Sequence, residues 1–145
     1  MSDRQNRNDL ALAVVRVVLG AVFLMHGWQK YDTTTIDGVE RMFDAMGVPF
    51  AYPSAVAVTM LELAGGVALI LGVLTHPVAL LFVLDMAGAL YFAHWDAGFY
   101  VSEGGYELVL LLGVVSALFA AVGAGRFSVD RWLENGRTRV SSMTG

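Results

Sequence analysis

The sequence predicts an all-α integral membrane protein: a four-helix bundle with a short amphipathic helix in its first outer loop. Three observations carry this reading. Hydrophobic residues make up 57% of the 145-residue chain and charged residues 15%, against about 45–50% and about 25% in soluble domains, the former with glycine counted in. Four apolar stretches approach or reach the roughly 20 residues needed to cross a hydrocarbon core about 30 Å thick. The connections between spans two and three and between three and four are short, which favours antiparallel neighbours.

The first stretch, residues 10–28, ends in "FLMHGWQKY". It is too long for the apolar part of a signal peptide and offers no small-residue cleavage site, so it reads as a span. In the loop that follows, Ile36, Val39, Met42, Phe43 and Met46 recur at helical spacing. Asp37 with Glu40 resembles a capping box, and "GVP" at 47–49 is a stop signal. This helix is either a connector, the plainer reading, or a lid over an outer cavity. Residues 52–74, 77–94 and 106–125 form spans two to four. The tail "GRFSVDRWLENGRTRV" reads as a brief amphipathic helix with Phe127, Trp132 and Leu133 toward lipid, arginines toward anionic head groups, and a disordered end. The chain thus divides into a cytoplasmic segment (1–9), a transmembrane domain (10–125) and a cytoplasmic tail (126–145).

Lysine and arginine set the direction. Arg4, Arg7, Arg126, Arg131, Arg137 and Arg139 flank one side, and Lys30 and Arg41 the other. Both termini are therefore expected in the cytoplasm of a multi-pass cell-membrane protein. Gly113, Ala117, Ala121 and Gly125, four apart in span four, and the small residues of "ELAGGVALILG" in span two are expected at helix contacts, because small side chains let backbones approach closely in lipid.

Ionisable groups inside a span are costly and persist when paired or functional. At about 1.5 Å of rise per residue, Arg16 lies about 9 Å and Asp85 about 12 Å from their cytoplasmic ends, so an Arg16–Asp85 ion pair is expected. On the same rise His26, His94 and Glu107 fall about 24–27 Å from their cytoplasmic ends, and Glu62 about 20 Å. Four ionisable groups on four helices converge on the outer half. They form either a polar pocket opening outward, with Trp28, Tyr91, Trp95 and Tyr106 in its lining, or a structural hydrogen-bond network.

Other chemistries find less support. The chain has no cysteine, which removes disulfides, thiolate metal sites and covalent haem attachment. Its net charge of −4 is unlike the basic patch that nucleic acid requires. No Gly-x-Gly-x-x-Gly follows a strand, so no flavin or dinucleotide site is expected. No paired Glu-x-x-His motif suggests a di-metal centre. No metal site is therefore predicted, although His26 and His94 lie at a depth where bis-histidine haem is geometrically conceivable.

The segments "RVVLGAVFLMHGWQK", "MLELAGGVALILGVLT" and "GGYELVLLLGVVSALFAAVGAGRFSVDRWL" resemble the DoxX-like family of small bacterial and archaeal membrane proteins. The likeness covers nearly the whole chain from about Leu10 to Leu133, and the order His26-Gly27-x-x-Lys30, then Glu62 with Gly65-Gly66, is its most specific part. The resemblance implies a four-span membrane protein whose relatives include a quinone-reducing partner of thiosulfate oxidation, a component of thiol-oxidant defence complexes, and proteins linked to resistance against quinones and catechols. Glu62, His26, Lys30 and Glu107 are the positions carried over.

The leading expectation is a quinone-interacting subunit of a membrane oxidoreductase system. Glu62 and His26 would exchange protons with the quinone oxygens and Lys30 would stabilise a developing anion. Glu107, His94, Trp28, Trp95 and Tyr91 would line the site, with electrons supplied by a soluble or membrane oxidoreductase partner. Two alternatives stand beside it: a non-enzymatic scaffold that recruits a soluble redox enzyme through the tail, and a small proton-coupled transporter, which would need a homo-oligomer.

Overall fold

The computed structural model describes residues 3–141, and side chains as far as residue 135. The described residues are helical, with no strand among them. Helix α1 (Asp3–Trp28) runs on as wider π-helical turns, Gln29–Thr34. A short α2 (Ile36–Ala45) follows. Next, α3 (Ala51–Met60), a π-helical stretch (Leu61–Gly65) and α4 (Gly66–Leu71) form one continuous rod. Helix α5 (Thr75–Ala89) likewise continues through π turns, Leu90–His94, and a 3-10 turn, Trp95–Ala97. Helices α6 (Glu107–Val122) and α7 (Val129–Ser141) complete the chain. The expected disordered end and the side chains of Arg137 and Arg139 lie outside the described residues.

Three rods, Asp3–Thr34, Ala51–Leu71 and Thr75–Ala97, are long and apolar enough to cross a membrane, and α6 is a shorter apolar fourth. Its 16 residues reach about 24 Å. Gly123, at φ +77°, ends it before the anticipated residue 125. The first helix starts at Asp3 rather than near Leu10. The outer-loop helix forms where its apolar spacing demands, but its N-cap is Thr35, whose Oγ1 accepts from Gly38 N at 3.4 Å, and not Asp37. At its far end Gly47 takes φ +74°, and Val48 N donates to Phe43 O while Gly47 N donates to Asp44 O. That is the Schellman closure expected of a glycine just past a helix.

Helix α1 packs along the α3–α4 rod and α5 along α6. The pairs join through a core of Leu19, Phe23, Leu69, Phe82, Met86 and Phe119, in which the Phe23 and Phe82 rings stack at 3.6 Å. The α1 contact is made backbone to backbone. A Cβ on Gly20 would stand 2.7 Å from Gly66 O, one on Gly66 2.7 Å from Leu24 N, and one on Gly27 2.7 Å from Leu63 N. The glycines of span two therefore act as expected, but the small stripe of span four does so only in part: Gly113 lies against Met86 of α5. Ala117 and Ala121 are exposed, and α6 instead buries Val109, Leu112, Ser116 and Phe119.

The expected Arg16–Asp85 pair is also absent. Arg16 is buried and donates to the backbone oxygens of Ala124 and Phe127, tying the α6–α7 connection to α1. It lies against Gly72, beyond the end of α4. Asp85 is ten residues into α5, about 15 Å further along the bundle, so the two charges sit at different depths. The tail is docked as well as exposed. Asp130 accepts from Leu74 N at 2.8 Å and Thr75 N at 2.9 Å, capping α5, while Phe127, Trp132 and Leu133 stay exposed.

If backbone contact at Gly66 holds the α1 pair together, Gly66→Ala should lower stability by about 1–3 kcal/mol, as overpacking does. Gly88→Ala, whose Cβ would meet nothing within 4 Å, should be neutral or slightly stabilising. Thermal unfolding of the detergent-solubilised protein, followed by circular dichroism, distinguishes the two.

Candidate functional site

Gly27 brings α1 against the Glu62–Leu63 backbone, and Lys30, one turn after His26, then reaches across to Glu62. Lys30 Nζ donates to Glu62 Oε1 at 2.9 Å and to Oε2 at 2.6 Å. The pair is unequally sheltered, with 25% of the Lys30 side chain exposed against 4% of Glu62. His26 from α1 and Asp85 from α5 lie within electrostatic reach of it, and the Asp85 Oδ2 atom is buried without a hydrogen-bond partner. With both carboxyls ionised and His26 neutral, the group holds more negative than positive charge.

These polar groups line one cavity of about 470 Å³, within the range of small-molecule sites. Apart from Ser54 its remaining wall is apolar, including Met42 and Phe43 from α2, Met46 at that helix's C-cap, Phe92 from α5's extension, and Leu108 and Leu112 from α6. Helix α2 therefore does more than connect; its apolar face covers the cavity. Phe23, stacked on Phe82, lies at the buried end, and the rim residues Met42, Leu84 and Leu108 are exposed on the bundle surface. Lys30, Glu62 and His94 each fall in a π-helical stretch. Such wide turns re-aim side chains and are frequent at functional sites.

The structure brings together His26, Lys30, Glu62 and His94, and separates the other candidates from them. His94 lines the cavity with its Nδ1 bonded to Gly104 O at 2.6 Å. Glu107 lies outside, because at the first position of α6 its carboxylate turns back to accept from Val101 N at 3.0 Å. Trp28, Tyr91 and Trp95 are exposed by 52, 73 and 62% and do not line the cavity. At about 100° per residue, Trp28 and Trp95 are carried off the faces of their neighbours His26 and His94. Trp28 instead meets Tyr31, and Trp95 stacks on Tyr106 at 5.9 Å. The aromatic wall is Phe43 and Phe92, which the loop-helix period and the third span contained but did not single out. Asp85 was visible as a charge in a span, but its partner was misassigned. Among the described residues no group of three or more His, Asp or Glu side chains is disposed to hold a metal ion.

Residues 11–95 match the DoxX family. The chain belongs to that family. The DoxX match contains all five ionisable residues of the cavity and stops short of Glu107. Among curated proteins the chain is similar to "Putative oxidoreductase CatD" of Bacillus subtilis, 28% identical over 89% of this chain and 91% of that one. It is also similar to an uncharacterized membrane protein of Mycobacterium tuberculosis, 32% identical over 86% and 82%. The inner membrane protein YqjF of Escherichia coli is 31% identical over 86% and 93%. No solved structure matches. The protein is thus a membrane protein of the DoxX family with a charged recess in its helical bundle.

Breaking a buried ion pair from one side strands the other charge, at about 3–5 kcal/mol. Lys30→Met should fall toward the lower end of that range because Lys30 is partly exposed. Adding Glu62→Leu should restore most of the loss. A double-mutant cycle on thermal unfolding in detergent measures this, and additive losses would mean the pair is not coupled.

Proposed function

We propose that this protein is the quinone-binding membrane subunit of an oxidoreductase system. The observation that carries the reading is the Lys30–Glu62 ion pair at one end of an otherwise apolar cavity. Charges in hydrocarbon are expensive and mark functional sites by default, and a buried pair contributes little net stability that would explain its presence. The donor and acceptor set fits a quinone. Ammonium and carboxyl groups meet the polar edge of a ring, and Phe43, Phe92 and the methionines meet its faces. A bound quinone supplies reversible two-electron, two-proton chemistry.

Within that reading the chain's own residues orient, shield and carry protons. Lys30 holds the Glu62 carboxylate in place and presents positive charge at the polar end. Glu62 and His26, both protonatable and in electrostatic contact, exchange protons with ring oxygens. Helix α2 keeps water from the apolar part. Electrons come from a partner protein, because the sequence holds no flavin or dinucleotide motif. The name of the Bacillus relative, an oxidoreductase, points the same way. The arginine-rich flanks put both termini in the cytoplasm and the cavity toward the outer face.

Glu62→Gln preserves shape and removes the charge opposite Lys30. It is expected to abolish binding of a short-chain benzoquinone to the purified full-length protein while leaving membrane insertion intact; undiminished binding would remove the assignment. Since the chain has no native cysteine, orientation is testable in intact cells. Ser102→Cys should react with a membrane-impermeant maleimide, whereas Gln5→Cys should react only after permeabilisation.

A further inference from the structure

We propose that Asp85 is a ligand-binding residue of the cavity, and that it makes the site favour the reduced, hydroxyl-bearing form of the ring, a quinol or catechol, over the quinone. This rests on the quinone reading above and adds to it a residue and a redox preference.

Lys30 spends donors on both Glu62 oxygens. His94 Nδ1 faces the carbonyl of Gly104. A carbonyl only accepts, so Nδ1 carries the hydrogen, and in the neutral ring Nε2 is an acceptor. Asp85 lines the same cavity, and its Oδ2 is buried with no partner. Such an atom is costly unless something satisfies it. Lys30 keeps a third N–H and a neutral His26 one more, but those donors serve either form of the ring; the buried acceptor left without a donor is Asp85 Oδ2.

A phenolic hydroxyl supplies one. It donates to an ionised Asp85 and accepts from a protonated one, so it is matched in either state. A quinone carbonyl has only lone pairs; against an ionised Asp85 it sets acceptor on acceptor. Glu62 from the α3–α4 rod and Lys30 from the extension of α1 act electrostatically on Asp85, His26 from α1 and His94 from the extension of α5 line the same cavity, and α2 and α6 present apolar side chains to it. With two carboxyls against one ammonium, a ligand that brings hydrogen-bond donors suits the site better than one that brings only acceptors. The cavity walls suit a ring in either form, so the selection falls to this one carboxyl.

The experiment is anaerobic binding to the full-length protein in lipid nanodiscs. It titrates a benzoquinol carrying one isoprenyl unit, and separately the matching benzoquinone, by equilibrium dialysis. At mildly alkaline pH the quinol is expected to bind about tenfold more tightly, the worth of one charge-assisted hydrogen bond. Lowering the pH should strengthen quinone binding and leave quinol binding nearly unchanged. Asp85→Asn presents an amide donor at every pH, so it should erase or reverse the preference. Equal affinities in the wild-type protein, tighter quinone binding, or a preference retained by Asp85→Asn would each overturn the proposal while leaving the quinone reading intact. Binding of neither form would remove the quinone reading itself. The wild-type pH comparison decides the matter even if Asp85→Asn does not fold.

Discussion

The site depends on how closely α1 lies against the α3–α4 rod. Gly20, Gly27 and Gly66 leave so little room that any side chain there would meet backbone at 2.7 Å. In lipid no hydrophobic force draws two apolar helices together, and close van der Waals packing takes its place. The same approach brings Lys30 across to Glu62. Packing and chemistry in this protein therefore share one cause.

The second half of the bundle is built differently. Helix α6 lies along α5 and buries Val109, Leu112, Ser116 and Phe119, with Gly113 set against Met86. The two halves are joined by a hydrophobic core at whose centre Phe23 stacks on Phe82. Beyond that stack, toward Lys30, the space between the halves is not filled, and this is the cavity. Three wide helical turns, carrying Lys30, Glu62 and His94, border it. At the opposite end Arg16 and Asp130 consume the loose backbone groups of the α6–α7 connection and of the α5 N-terminus. One end of the molecule is thus braced by side-chain-to-backbone bonds, and the cavity with its ion pair lies toward the other.

Much of this was legible beforehand, and the misses have a common form. The apolar runs and the loop helix with its glycine stop follow from composition and periodicity, the convergence of His26, His94 and Glu62 follows from helical rise, and Lys30 was carried by the family resemblance. What failed were inferences that needed rotation about a helix axis or a shared origin of depth. Trp95 adjoins His94 and Trp28 comes two residues after His26, yet both tryptophans point elsewhere, since each residue turns the helix by about 100°. Glu107 has the right depth but is spent on the backbone of Val101. Arg16 and Asp85 looked level only because each was measured from its own helix end.

What the sequence by itself determined is the solvent and the parts. A chain with 57% hydrophobic residues in long runs must be solvated by lipid, and such runs must be helices because only helices satisfy their own backbone groups there. What only the tertiary structure decided is who meets whom. The pairing of Lys30 with Glu62, the orphaned oxygen of Asp85 and the cover formed by α2 depend on ångström-scale distances between helices. Those distances are set by which faces pack, and a one-dimensional pattern does not contain the relative rotation and height of separate rods.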